Sequence, residues 1–352
     1  MWIELGIAMS IAALVSVLAC MVLVRRGPLD HPDVARKAHK LPTPTSGGLG
    51  IAAGFLAGFL ALLAIFPAWG DTLFEENVTL KAAIVLFAFI FLFLGFIDDA
   101  TPISPRLKFL IFTAAAFAAA WRVGVVNQLP LGDGNALYLP LFVGAVGTAL
   151  WVFTLINSVN FMDGSNGLAM GSTAIGLSAL GAIALQLGSP SSGAICFSAV
   201  GAIIGFLFWN FPKGRLFAGD AGALFVGAIA ALTSLYIIRR TQLSPLIPPI
   251  LFFPLLADAL LTLLWRARRR RSLLDAHAEH LYQIAHRAGW SHLRVAFSYW
   301  IAMALCGAVG FAAALSPQSA FAPIGLAVLA AAAIVVAQIV RRYAVKRGIA
   351  EI

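Results

Sequence analysis

Charge is what this sequence has least of. Asp, Glu, Lys and Arg make up 11% of its 352 residues, against about 25% in soluble globular proteins. The chain is 61% hydrophobic, with a mean hydropathy of +0.93. That excludes a water-soluble globule and leaves an integral membrane protein, whose few charges must lie in loops or in functional pockets. Cysteine is scarce too. Cys20, Cys196 and Cys306 lie in apolar segments at no metal-like spacing, which excludes a disulfide framework or thiolate metal site and leaves small hydrophobes. The longest polar stretch is 266–292, too little for a separate soluble domain, so residues 1–352 read as one integral-membrane domain. The absence of an internal repeat argues against a repeat-built transporter. The net charge of +9 could suit nucleic acid, but the basic residues cluster at the ends of apolar runs. That pattern is topological and argues for no nucleic-acid partner; it also suits anionic lipid heads or phosphate substrates.

A membrane span needs about 20 apolar residues. Eleven segments qualify: 3–24, 47–67, 79–97, 107–126, 137–157, 167–187, 191–209, 218–238, 245–265, 293–315 and 320–340. The fold class predicted is all-α and polytopic, with about eleven transmembrane helices. The first run is too long for a signal-peptide core, is preceded by Glu4 and is followed by Arg25-Arg26, so it reads as a retained anchor with its N-terminus outside. In that orientation all of the 24 Lys and Arg residues except Lys81, Arg122, Arg239 and Arg240 fall on the inner side, as the positive-inside rule requires. The C-terminus is then cytoplasmic. Arg239-Arg240 is the one local violation.

Four polar motifs sit at inner ends of these runs. Asp98-Asp99 ends the third span before Thr101-Pro102; such a pair can hold Mg²⁺ or take a proton, or be a solvated helix end. Asn157, Asn160 and Asp163-Gly164 follow the fifth, each three residues from the last, a row of oxygen ligands on one helical face. Phe217-Ala218-Gly219-Asp220-Ala221-Gly222 opens the eighth; Asp220 alone would most simply be a helix cap, but its small neighbours leave room for something bulky. No Gly-Lys-Ser/Thr follows, which excludes a P-loop. His277-Ala278-Glu279-His280 lies in the basic loop 266–292. Its two histidines can share a helical face but lack the spacing of H-E-x-x-H zinc enzymes. A phosphate-contacting or proton-handling role beside Arg268–Arg271 fits better. His286 and His292 read as ordinary loop residues. Before the second span, Arg36-Lys37-x-His39-Lys40-x-Pro42-Thr43-Pro44-x-x-Gly47-Gly48 forms a rigid, basic, close-approach loop. Asp258, in the ninth span, either lines the cavity or pairs with a nearby arginine.

Taken together, from about Arg36 to His292, these motifs resemble the polyprenyl-phosphate N-acetylhexosamine-1-phosphate transferases, glycosyltransferase family 4. The resemblance implies transfer of a sugar-1-phosphate from a UDP-N-acetylhexosamine to undecaprenyl (polyprenyl) phosphate, with release of UMP. It places that step at the cytoplasmic face of a bacterial inner membrane, at the start of cell-envelope polysaccharide or O-antigen synthesis. The implied cofactor is Mg²⁺, with Mn²⁺ as a substitute. The implied metal ligands are Asn160, Asp163 and Asp220. Asp98 and Asp99 match the pair that orients or deprotonates the lipid phosphate; His277 and His280 match donor-contacting histidines. Lys37, His39, Lys40, Asn157, Asn160 and Arg268 are the candidate substrate-binding residues. The implied partners are the donor, the lipid phosphate and the bilayer, with a homodimer as a candidate assembly. The peptidoglycan branch has three adjacent histidines where this chain has His277-Ala278-Glu279-His280, which favours an O-antigen or capsule type of initiating enzyme over a MurNAc-pentapeptide donor. Two other readings compete. A transporter of an anionic substrate would place its functional charges at mid-bilayer. A CDP-alcohol phosphatidyltransferase would follow Asp163-Gly164 with Ala-Arg, where this chain has Leu168-Ala169.

Overall fold

Inside a bilayer, long apolar stretches can satisfy their own N–H and C=O groups only as helices or closed barrels. The computed structural model uses helices. It describes residues 1–352 apart from 28, 31–41, 75–76, 133–134, 274, 276, 317–319 and 350–352. In chain order the helices are α1 (Trp2–Arg26), α2 (Gly47–Ile65), the short α3 (Ala68–Phe74), α4 (Val78–Ala100), α5 (Pro105–Val123), α6 (Leu141–Met162) and α7 (Leu168–Gln186). There follow α8 (Pro190–Asn210), α9 (Gly219–Thr241), α10 (Ile247–Leu251), α11 (Phe253–Arg268), the short α12 (Leu281–Arg287), α13 (His292–Ala314) and α14 (Phe321–Lys346). Each of the expected spans is met by helix. Among the described residues nine helices are long and apolar enough to cross a membrane: α1, α2, α4, α6, α7, α8, α9, α13 and α14. The other two segments differ for reasons written in their residues. Helix α5 carries Arg106, Lys108 and Arg122 within 19 residues. The segment 245–265 breaks at Phe252 between α10 and α11, where Pro248, Pro249 and Pro254 each lack a backbone donor.

Two small antiparallel pairs depart from the all-α expectation: β1 (Leu29–Asp30) with β2 (Thr43–Pro44), and β3 (Gln128–Gly132) with β4 (Asn135–Tyr138). The second pair takes up the chain where the fifth span was expected to begin. Helix α6 therefore starts later and runs to Met162, which puts Asn157 and Asn160 inside it.

Helix α9 is the axis of the bundle, buried without a break from Ala221 to Ile237 and touched by α2, α4, α5, α6, α7 and α8. Lipid offers helices no hydrophobic drive to associate, so close backbone approach through small residues does that work. A Cβ added to Gly54 of α2 would lie 2.5 Å from the Ala12 carbonyl oxygen of α1. Two of the charges expected on the outer side have backbone partners. Lys81 is buried and donates to the Thr72 carbonyl at 3.1 Å. Arg239 reaches the Val123 carbonyl at 3.4 Å, at the C-terminal end of α5.

Candidate active site

Four helix ends meet on the side expected to be inner. The last turn of α4 brings Asp98 and Asp99, the first turn of α5 brings Lys108, the last turn of α6 brings Asn160 with Asp163 just beyond it, and the first turn of α9 brings Asp220. Any helix begins with N–H groups that lack intrahelical partners, and Ala218, at the cap position of α9, has no side chain to accept them. Asp99 accepts them from α4: Oδ1 takes the N–H of Asp220 at 3.0 Å and Oδ2 that of Ala221 at 3.1 Å. Gly219 makes this possible. Its φ is +71°, and a Cβ there would lie 2.5 Å from Asp99 Oδ2, so both conformation and space call for glycine.

Because Asp99 performs the capping, the side chain of Asp220 is released for other partners. It accepts from Asn160 Nδ2 at 2.8 Å and pairs with Lys108. The same ammonium pairs with Asp98 at 2.5 Å, whose other oxygen accepts from the Ile103 N–H at 3.0 Å. Asp163 is half-buried beside this group. Burial and the carboxylates of Asp220 and Asp99 push its carboxyl well above the usual carboxylate range. Asn157 stays with its own helix, donating to the Phe153 carbonyl at 2.8 Å. The loop ahead of α2 is laid along the start of α9. Phe217 donates to the Pro44 carbonyl, Gly47 to that of Phe217 and Gly48 to that of Ala218, at 2.8–2.9 Å. Lys37, His39 and Lys40, on the basic half of that loop, lie outside the described residues.

Among the described residues no three His, Cys, Asp or Glu side chains converge as a metal-holding group; the Lys108 ammonium stands between Asp98 and Asp220. The donor set still fits a hard divalent cation. Asp220, Asp163 and Asn160 offer the oxygens such ions prefer. The Lys108 ammonium pairs with Asp98 and Asp220, and burial first, then the carboxylates of Asp220 and Asp99, raise the carboxyl of Asp163, so a further cation would be favoured beside it.

The histidine loop is built differently. Residues 277–280 are not helical, so His277 and His280 do not share a helix face as expected; their rings nevertheless lie 5.0 Å apart. His280 precedes α12, and its ring nitrogen Nδ1 lies 3.3 Å from Asp258 Oδ1. Asp258 is buried and, among the described residues, its side chain bonds to His280, Thr262, Tyr299 and backbone N–H groups rather than to an arginine. Glu279 pairs with Arg266 and Arg271; burial works against its ionisation, yet the two guanidinium groups hold its carboxyl below the ordinary value. The guanidiniums of Arg269, Arg271 and Arg341 lie 4.3–5.1 Å from the Trp265 ring. Arg268 is exposed at the end of α11. His286 and His292, read as ordinary loop residues, both reach the Ser165 hydroxyl, at 2.9 and 3.0 Å. They tie the histidine loop to the Asn160–Gly167 turn.

Lys108 is the main residue that sequence reasoning missed, since it was counted only as an inner charge. The available signal was an ionisable residue in the first turn of an expected span, where such groups are costly.

Comparisons with known proteins point to one family. A family model described as glycosyl transferase family 4 matches residues 81–238, a stretch that contains Asp98, Asp99, Lys108, Asn160, Asp163 and Asp220 and stops before the histidine loop. The chain is 29% identical over 289 residues to a probable undecaprenyl-phosphate N-acetylglucosaminyl 1-phosphate transferase of Bacillus subtilis, covering 80% of this chain and 77% of that protein. It is 29% identical over 291 residues to a phospho-N-acetylmuramoyl-pentapeptide-transferase of Rubrobacter xylanophilus, covering 77% and 83%. It is 30% identical over 323 residues to a decaprenyl-phosphate N-acetylglucosaminephosphotransferase of Mycobacterium tuberculosis, covering 84% and 77%. With its helices of membrane-spanning length and its carboxylates gathered at their ends, the chain is a polytopic membrane protein that belongs to glycosyl transferase family 4.

Proposed function

We propose that this chain transfers an N-acetylhexosamine 1-phosphate from its UDP-sugar to polyprenyl phosphate, releasing UMP, at the cytoplasmic face of a bacterial inner membrane with the N-terminus outside. The observation that carries the proposal is the freed carboxylate of Asp220, held by Lys108 and Asn160 at the N-terminus of a buried helix that Asp99 caps from outside. In the reaction a lipid phosphate oxygen attacks the sugar-linked phosphorus, and the bond from that phosphorus to the UMP oxygen breaks. Transfer between two anions needs charge neutralisation and alignment more than covalent help. Asp220, Asp163 and Asn160 would hold Mg²⁺, which when bound supplies positive charge to the phosphate oxygens. Lys108 adds a cation, and the N-terminus of α9 turns the positive end of its dipole to the same place. Asp98 and Asp99 spend their oxygens on Lys108 and on backbone N–H groups, so their part is to position rather than to take a proton. Lys37, His39, Lys40 and Arg268 supply further positive or donor groups for phosphate. The names of the relatives cover both GlcNAc and MurNAc-pentapeptide donors; the His-Ala-Glu-His sequence supports the simpler N-acetylhexosamine.

The test is direct. Purified protein, undecaprenyl phosphate and Mg²⁺ are given a panel of UDP-sugars and scored for UMP. UDP-N-acetylhexosamines should be turned over and UDP-MurNAc-pentapeptide refused; turnover of the pentapeptide would overturn the donor assignment, and no turnover of any UDP-sugar the reaction itself. A reporter fused after Ala278 should report cytoplasm, and one after Ser191 the outside. The reverse result would sink the orientation.

A further inference from the structure

We propose that Asp258 is a positioning residue that holds the histidine loop so that His277, and not His280, faces the donor. The proposal deepens the function proposed above and rests on it.

Asp258 is 2% exposed on α11, and a buried carboxylate is tolerated only with partners. Its partners come from three elements. The Leu281 and Tyr282 N–H groups donate to it at 2.8 and 3.3 Å, His280 Nδ1 lies at 3.3 Å, Thr262 donates at 3.2 Å and the Tyr299 hydroxyl of α13 donates as well. The first two are the unpartnered N–H groups that open α12. A seven-residue helix cannot hold itself together in isolation; α12 has a capping box between His280 and Gln283, and its first two N–H groups are taken by a carboxylate more than 20 residues earlier.

That arrangement separates the two histidines. His280 is 4% exposed, with Nδ1 on Asp258 and its ring 5.8 Å from Phe161, 5.0 Å from His277 and 6.0 Å from Tyr282. No face of it is left for a donor. The His277 ring is half-buried, and its Nδ1, the buried nitrogen, has no hydrogen-bond partner among the described residues. Burial and the cationic groups around it push its imidazole down to about 4, so it is neutral at pH 7. The next residue in the chain of contacts, Tyr282, donates to the Phe161 carbonyl at 3.1 Å and lies against Gly164. The loop is thereby anchored beside Asp163.

The experiment compares Asp258→Asn, His277→Ala and the double variant in the full-length protein. Asn keeps the shape of Asp258 but presents a donor face to groups that are themselves donors. In Asp258→Asn the KM for the UDP-sugar should rise by up to about tenfold, while the KM for polyprenyl phosphate stays within about twofold. If Asp258 acts through His277, the double variant should be scarcely worse than His277→Ala alone. Additive losses, or equal rises in both KM values, would overturn the proposal. Trypsin cleavage at Arg268–Arg271 and Arg287 reads the loop without activity. It should be faster in Asp258→Asn and faster to a lesser degree in Tyr299→Phe, which keeps the carboxylate and removes one donor; unchanged cleavage in both would overturn the tether. A wild type that turns over no UDP-sugar would overturn the proposed function and with it the donor role of His277, whereas faster cleavage in Asp258→Asn would still bear out the tether.

Discussion

The acidic cluster is assembled from the ends of four long helices, α4, α5, α6 and α9, whereas the histidine loop hangs between α11 and α13 on a few side-chain bonds, those of the buried Asp258 foremost. In the first, backbone N–H groups and helix ends set where Asp220 sits. In the second, Asp258, Glu279 and Ser165 hold a segment that has seven helical residues of its own. Rigid elements hold a reacting group more closely than loops do, and a segment with few tethers opens at lower cost. In the proposed function the cluster carries the chemistry and the loop the contacts that select the donor.

The sharpest way to break it is Asp220→Asn. The amide keeps the shape and loses the charge, and UMP release should fall by about 10³-fold or more while the protein still inserts in the membrane. Near-normal turnover would take the chemistry out of the cluster. Asp163→Asn should cost about 10²-fold and carries a pH signature. The carboxyl of Asp163 is held well above its ordinary range, and metal ligands must be deprotonated to bind. The Mg²⁺ concentration for half-maximal activity should therefore fall as pH rises, and Asp163→Asn should remove that dependence. EDTA should silence the wild type, and Mg²⁺ or Mn²⁺ should restore it.

Smaller effects sharpen the other side of the comparison. His277→Ala should raise the KM for the UDP-sugar by about tenfold with little change in the lipid KM. The same residue shapes acid stability. Its folded value near 4 lies below the ordinary 6.5, so between those pH values the unfolded chain binds more protons and stability rises with pH. The Tm should therefore drop as pH falls from 6.5 towards 4, less so in His277→Ala. Smallest is His286→Ala, which removes a bond to Ser165. Stability should fall by about 1 kcal/mol with kcat/KM kept within a few-fold; a large loss of kcat would move this histidine into the chemistry.

Much of this was legible in the residues. Asp98, Asp99, Asn160, Asp163 and Asp220 were singled out because polar groups are costly in so apolar a chain, and the structure brings all five to one place. Asn157 was grouped with them by its i, i+3 spacing, which gives the face of a helix but not what that face meets; its amide returns to the Phe153 carbonyl. His286 and His292 carried no signal, because their shared partner Ser165 lies more than 120 residues away.

The sequence by itself determined the class and the placement of the polar groups. Hydropathy and charge asymmetry are sums over neighbours in the chain, and they are enough to set the helices and predict which helix ends are inner. Only the tertiary structure decided which partner each group takes. Lys108 and Asp220 are 112 positions apart, and Asp220 looked most simply like the cap of its own helix. It is not the cap because α4 lies close enough along α9 for Asp99 to accept those N–H groups. That closeness comes from small residues, among them Gly95 of α4, where a Cβ would sit 2.5 Å from the Ala221 nitrogen. Packing distance between helices is a property of two faces at once, and no stretch of sequence states it alone.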